Sequence, residues 1–268
     1  MSTATIDGAL SATGTAGDGP SKPKRGRGLG AWKGLIWQIV GIAAVFAAVI
    51  IWLLVAPLTA TERGTLAPAA LWGATLEHLR LTFVSAIIVL AIAIPLGILL
   101  TRRPFRRAAA PILAVANFGQ AAPAVGLIVL LAVYITSGFW ASVVALVLYA
   151  ALPVLRNTMI GIRGVDDRLV EAGRGMGMSA GAVLLRVELP LAVPVMLSGI
   201  RTALVLLVGT AALAAFVNGG GLGLLIVTGV NLYLINVLVV GAVIIALLAL
   251  LIDWLGRVVE EIARPKGL

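Results

Sequence analysis

"EAGRGMGMSAGAVLLRVELP", residues 171–190, is the stretch on which the reading of this chain turns. Charged residues, glycines and a terminal proline interrupt a sequence that is otherwise strongly apolar. On either side lie segments greasy enough to cross a bilayer, Phe139 to Leu155 before it and Pro194 to Val217 after it. A plain connection between two membrane spans needs only a few polar residues. Here about 35 residues intervene, and a loop of that length folds or functions. "DDRLVEAGRGMG" predicts a short helix, with Asp166 and Asp167 near its positive N-terminal end. Gly173, Gly177 and Gly181 fall four apart, which predicts a bare face open to another backbone. A second short helix is expected to run towards Glu188, with Pro190 ending the local hydrogen bonding.

Outward from this hairpin, composition sets the class. Of 268 residues, 61% are hydrophobic and 12% charged, against about half and a quarter in a soluble domain. The apolar residues come in long runs: Leu35 to Leu58, Leu81 to Leu100, Pro111 to Ile135, the two spans flanking the hairpin, and Tyr233 to Ile252. At about 1.5 Å per residue these approach or exceed a hydrocarbon core of roughly 30 Å. Six spans are therefore expected, in an all-helical membrane protein. Pro57, Pro95, Pro123 and Pro153 lie in or near them, where proline kinks a helix.

The net charge of +9 resembles that of a nucleic-acid binder, but its distribution favours orientation in a membrane. Lys22, Lys24, Arg25, Arg27 and Lys33 precede the first span, and Arg102, Arg103, Arg106 and Arg107 follow the second. Arg163, Arg168, Arg174 and Arg186 surround the hairpin, and Arg257, Arg264 and Lys266 close the chain. Six spans put all four groups on one side, leaving Arg63 and Arg80 on the other. The positive-inside rule then places both termini and the hairpin in the cytoplasm. No nucleic-acid partner is expected.

The sequence also excludes chemistries. It has no cysteine and one histidine, His78, so thiol nucleophiles, thiolate metal sites and multi-histidine centres are out. No lysine stands in a phosphate-cradling G-x-x-x-x-G-K-[ST] context. No catalytic residue, metal site or cofactor is expected.

At this point the hairpin resembles a known pattern. Permease subunits of bacterial ABC importers carry E-A-A, three residues, G, nine residues, then I-x-L-P. The chain has Glu171-Ala172-Gly173, then Gly177, then Val187-Glu188-Leu189-Pro190, at those intervals. Gly173 replaces the second alanine and Val187 the isoleucine. Three further stretches resemble the osmoprotectant permeases, which move glycine betaine, choline, carnitine and related solutes. They are "LEHLRLTFVSAIIVLAIAIPLGIL" at 76–99, "NFGQAAPAVGLIVLLAVY" at 117–134 and "FVNGGGLGLLIVTG" at 216–229.

The resemblance implies a type I ABC importer permease fold in a bacterial plasma (inner) membrane. The hairpin (161–193) would seat on ABC ATP-binding subunits, which hydrolyse the ATP. An extracytoplasmic solute-binding protein would dock above, and a second permease subunit, a copy or a paralogue, would complete the pathway beside membrane lipid. The resemblance covers roughly 66–260, the permease domain; 35–65 is expected to be an N-terminal anchor and outer loop, 261–268 a cytoplasmic C-terminal tail, and 1–34, rich in Ser, Thr, Ala, Gly and Pro, a disordered basic cytoplasmic tail. Two rivals stand: an ABC permease for another solute, such as an amino acid or a sulfonate, and an ion-driven secondary carrier.

Several polar residues have both a structural and a functional reading. Asn117 and Gln120, followed by Pro123, either hydrogen-bond between helices or line the solute path. Arg201, seven residues inside the fifth span, either snorkels or pairs with a residue such as Asp253. His78, beside Glu77, is expected at the outer interface. Asn218 to Gly223, "NGGGLG", reads either as a tight re-entry at the outer face or as a plain turn; the resemblance implies that it lies close to an external gate, with Asn218 and Gly220 as candidate residues.

Overall fold

The computed structural model describes residues 27–135 and 138–263, with side chains described from residue 32 onward. Every regular element among the described residues is helical. This is what a backbone with no water to bond to requires, since each N–H and C=O must be satisfied within its own segment.

The first long helix, α1 (Arg27–Val55), begins earlier than expected, so residues 27–34 are helical rather than part of a tail. The remainder of that tail lies outside the described residues. Pro57 lies in the break that follows. Next comes the short α2 (Ala60–Thr65), started by a reciprocal cap: Thr59 Oγ1 accepts from Glu62 N–H, and the Glu62 carboxylate accepts from Thr59 N–H. The long α3 (Pro68–Thr101) runs 34 residues, about 51 Å by helical rise. A 3-10 turn (Arg103–Ala108) leads into α4 (Ala109–Ala121) and α5 (Ala124–Tyr134). Then α6 (Phe139–Arg163) leads to the hairpin, made of α7 (Asp167–Gly175), α8 (Ala180–Val183) and a π turn (Leu184–Glu188). The chain returns through α9 (Leu189–Ala211), a 3-10 turn (Ala212–Val217), α10 (Gly223–Asn231) and α11 (Ile235–Ala263).

The expected span Pro111 to Ile135 is not one helix. α4 and α5 meet at 101°. Pro123 lacks an N–H and pushes Ala122 into extended geometry, φ −62° and ψ 143°. Neither half, about 20 and 16 Å long, crosses a bilayer alone. Together they do carry the chain from one end of the bundle to the other. Gly138 N–H donates to Val217 O (2.6 Å), and the Phe139 ring lies 4.8 Å from the Arg80 guanidinium, both far from the hairpin. Five uninterrupted spans and one bent one result.

The core is a sandwich of α3, α6 and α9, joined by Val89, Leu100, Leu146, Leu155 and Leu207. Close approach depends on small residues, as membrane helix packing favours. Gly97 faces Thr158, Gly161 faces Ala192, and Gly199 faces Asn157 and the Pro153 carbonyl. A second core of Val208, Leu222, Val237, Val240 and Ile245 seats α10 and α11. α1 leans on α11, where the Trp254 indole N–H donates to Leu35 O at 2.9 Å.

The basic segments gather as the spans require. Arg102, Arg163 and the hairpin share one end, where Arg163 Nη2 donates to Leu100 O. The start of α1 and the end of α11 join there through Gln38 and Asp253. At the far end, Asn236 Nδ2 donates to Glu62 Oε1 at 2.9 Å.

Candidate functional site: a docking hairpin and a broken span

The hairpin is a folded unit. Asp166 caps α7, its carboxylate accepting from Arg168 N–H at 2.9 Å, and Ser179 caps α8 by accepting from Ala182 N–H at 3.3 Å. Between the arms the chain turns through Gly177, whose φ of +83° suits glycine and strains other residues. The three glycines do not share an open face. Gly173 is buried inside the hairpin against Val183, Met178 and Val187, while Gly177 and Gly181 have open space around them. The periodicity fails because the helix ends at Gly175, so positions four apart no longer stack. A Cβ on Gly173 would meet its neighbours at 3.4–3.7 Å. The alanine found there in the family pattern would therefore fit, and the departure changes no packing.

What the hairpin presents outward mixes apolar and charged side chains, the charged ones including Asp167, Arg168, Arg174 and Arg186. Leu169, Met176 and Leu185 are exposed, Met176 by 72%. Glu171 and Ala172 are exposed beside them, and Glu171 has no ion-pair partner among the described residues. Val187 and Leu189 are half-buried under the arms, and Pro190 follows the π turn directly, so it does not end the helix: the helical backbone runs on from Ala180 into α9.

Asn117 and Gln120 sit on the last turns of α4, half-buried, and Pro123 starts α5 just past the bend. Asn117 Oδ1 accepts from Arg156 Nη2 at 3.4 Å. Arg156 is exposed on α6; sequence reasoning passed over it because it stands one residue beyond an apolar run.

Asn218 to Gly223 form a packed turn at the far end. Asn218 adopts the left-handed conformation, and Gly220 and Gly221 have φ of +80° and +84°. Gly221 N–H donates to Glu77 Oε2 at 3.0 Å, and a Cβ on Gly221 would press on the His78 backbone at 3.2–3.3 Å. His78 is not an interfacial residue. It is fully buried, and its Nε2–H donates to Val208 O at 2.9 Å, since a carbonyl only accepts. The contacts do not bring Asn117 or Gln120 to Asn218; α5 lies between, packed on the 3-10 turn Ala212–Val217.

Arg201 is paired rather than snorkelled. Nη1 donates to Asp253 Oδ1 (3.2 Å) and Nε to Glu260 Oε1 (3.1 Å). Asp253 also accepts from Arg257 Nε at 2.9 Å and Gln38 Nε2 at 3.1 Å. Room for the arginine stem comes from Gly256, where a Cβ would lie 2.7 Å from Arg201 Cγ. This charge balances itself and ties α1, α9 and α11 together.

Residues 93–264 match the family model described as the binding-protein-dependent transport system inner membrane component. The chain belongs to this family. It is 40% identical over 194 residues to the choline transport system permease protein OpuBB of Bacillus subtilis (strain 168), covering 72% of this chain and 88% of that one. It is 38% identical over 199 residues to the osmoprotectant import permease protein OsmW of Salmonella typhimurium (strain LT2), with 72% and 92% covered. An inward-facing structure of the MetNI methionine ABC transporter superposes with TM-score 0.64 at 27% identity, covering 73% of this chain and all but a few per cent (96% covered) of that one. The chain is thus an ABC importer permease, an inner-membrane transport component rather than an enzyme.

Proposed function

We propose that this permease moves quaternary ammonium osmoprotectants, driven by ATP-binding subunits that seat on the Glu171–Pro190 hairpin. The observation that carries the reading is the hairpin itself: a capped, internally packed unit that exposes Leu169, Met176 and Leu185 together with Glu171, which has no ion-pair partner among the described residues. Exposed apolar side chains interspersed with charge suit a transient contact with another subunit. Glu171, Ala172, Gly173, Gly177, Val187, Leu189 and Pro190 are the coupling residues of this proposal. The relatives named for choline and for osmoprotectant import supply the solute class.

The pathway is assigned to the bent span. Interrupted backbone inside an apolar stretch is tolerated where other protein covers it or water borders it, and broken helices mark many transport sites. Asn117, Gln120 and Pro123 stand at that interruption and are exposed or half-buried in the single chain. A second permease subunit facing this surface would enclose the path, and Asn218 and Gly220 would gate its far end. Both termini and the hairpin are assigned to the cytoplasm, following the basic residues. ATP binding would draw the docked hairpins together and rock the spans between inward-facing and outward-facing arrangements.

The test is the purified complex with its ATP-binding subunits and solute-binding protein. Glu171→Lys and Gly177→Val should lower solute-stimulated ATP hydrolysis while membrane insertion persists. Gly177→Val acts by forcing a branched residue into φ +83°. Normal uptake by both variants would overturn the coupling role; uptake of an amino acid or a sulfonate in place of betaine would overturn the solute class.

A further inference from the structure

The hairpin is continuous in sequence with α6 and α9, but not with α3, the third helix of the core sandwich. Besides the Arg163–Leu100 hydrogen bond and apolar packing of Ile94 and Ile98, one ion pair among the described residues bridges that gap. Glu188, the last residue of the π turn, is 5% exposed, and Arg102, the C-terminal cap of α3, reaches it with both ends of its guanidinium. Nη1 donates to Oε1 at 3.1 Å, and Nη2 donates to Oε2. The planar fork of arginine matches the carboxylate in position and in orientation, which a lysine cannot do.

We propose that Arg102 and Glu188 form a clasp that makes α3 follow the hairpin, carrying its movement to the Asn218–Gly223 turn at the far end. This rests on the hairpin being the seat of the ATP-binding subunits. The physical reason lies in the burial of Glu188. If the hairpin moved without α3, a buried carboxylate would lose its counter-charge, and an unpaired buried charge is strongly disfavoured. Moving together keeps both oxygens satisfied. α3 is suited to carry the displacement, because it stays one continuous helix through Pro95. At its other end Glu77 holds the Gly221 N–H and His78 holds the Val208 carbonyl. A shift at the Arg102 end would therefore be felt by the far turn, about 35 Å away along the helix by rise per residue. Arg102 and Glu188 act here as positioning residues, with no contact to solute.

The experiment uses the full complex in proteoliposomes, with uptake per ATP hydrolysed as one readout. The second is the ATP-driven change in distance between spin labels at Trp72→Cys on α3 and Leu232→Cys after α10; both positions are exposed, and the chain has no native cysteine. Glu188→Gln removes the charge with little change of shape; Arg102→Lys keeps the charge and loses the fork. Each should lower uptake per ATP about tenfold and abolish the distance change. The double variant Arg102→Glu with Glu188→Arg should recover most of both. Uptake per ATP within about twofold of the parent in both single variants, or a distance change that persists in them, overturns the clasp. So does failed assembly of both single variants that the double variant does not reverse, which would mark a folding contact alone. Cross-linking from Met176→Cys to the ATP-binding subunit separates the two ideas. Its absence in the otherwise unaltered complex defeats the hairpin reading and the clasp with it; its presence with unchanged coupling defeats the clasp only.

Discussion

Two glycines of α9 should respond to the same substitution with opposite sign. Gly199 lies where α9 crosses α6. A Cβ added there would sit 2.5 Å from Asn157 Cβ and 2.7 Å from the Pro153 carbonyl oxygen. Neither atom can swing away, because one is fixed to the backbone and the other belongs to it, so the two helices must part. Forcing a methyl into a filled contact costs about 1–3 kcal/mol, and two rigid clashes argue for about 3. Alanine returns up to about 1 kcal/mol in helix propensity. The net loss should be about 2 kcal/mol. Gly209, further along the same helix, has nothing within 4 Å of its would-be Cβ. Gly209→Ala therefore keeps only the propensity gain, up to about 1 kcal/mol. Thermal unfolding of the detergent-solubilised permease, followed by far-UV circular dichroism, reads both. Gly199→Ala should melt lower than the parent and Gly209→Ala at or above it. Equal shifts in one direction would show that close approach of α6 and α9 does not govern stability, and would refute the packing argument.

Three further outcomes follow from particular contacts. Asp253→Asn should destabilise by about 1–3 kcal/mol, because it weakens a part-buried carboxylate shared by Arg201, Arg257 and Gln38; Arg257→Gln, at a half-exposed partner, should cost under about 1 kcal/mol in the same melts. The Glu62 carboxyl is held below its usual range chiefly by the Thr59 backbone N–H, against the opposing effect of burial and with help from Asn236 and the Thr59 hydroxyl. A depressed carboxyl stabilises the fold above its unfolded pKa of about 4.3 and loses that contribution as pH falls through the folded value. The melting difference between parent and Glu62→Gln should therefore be full at pH 7 and vanish on acidification below that range; a difference constant from pH 7 to pH 3 would count against it. Reporter fusions after Arg107 or Gly181 should read cytoplasmic and those near Gly64 or Gly220 external, and an external signal at Gly181 would remove the hairpin from reach of any ATP-binding subunit.

Recognition of the solute is expected to lie elsewhere than in this chain. Caging a quaternary ammonium group takes several aromatic faces, at roughly 0.5–2 kcal/mol each. The three tyrosines lie apart in the chain's elements: Tyr134, 80% exposed, ends α5, Tyr233, 90% exposed, lies in the turn between α10 and α11, and Tyr149 is half-buried on α6. Exchanging the solute-binding protein for a docking-competent relative of other specificity should change the transported solute. Micromolar binding of betaine by the isolated permease would contradict this.

Hydropathy alone determined the class of this protein, because a span is a local property: enough consecutive apolar residues must be helical in lipid whatever their neighbours do. The spacing from Glu171 to Pro190 was legible for the same reason, since a capped hairpin is specified by residues close in sequence. Prolines show where that legibility stops. Pro95, Pro153 and Pro194 lie inside continuous helices, whereas Pro123 sits at a 101° bend. Each removes one N–H, so local chemistry does not separate them. The difference lies in packing: α3, α6 and α9, each continuous, pack closely against one another at Gly97–Thr158, Gly161–Ala192 and Gly199–Asn157, while α4 and α5 rest on α6 from outside that sandwich. Likewise, a sequence shows Glu188 and Arg102 as two charges 86 positions apart. Only the tertiary structure brings them together, because the energy of a part-buried ion pair depends on distances that the chain's order does not encode.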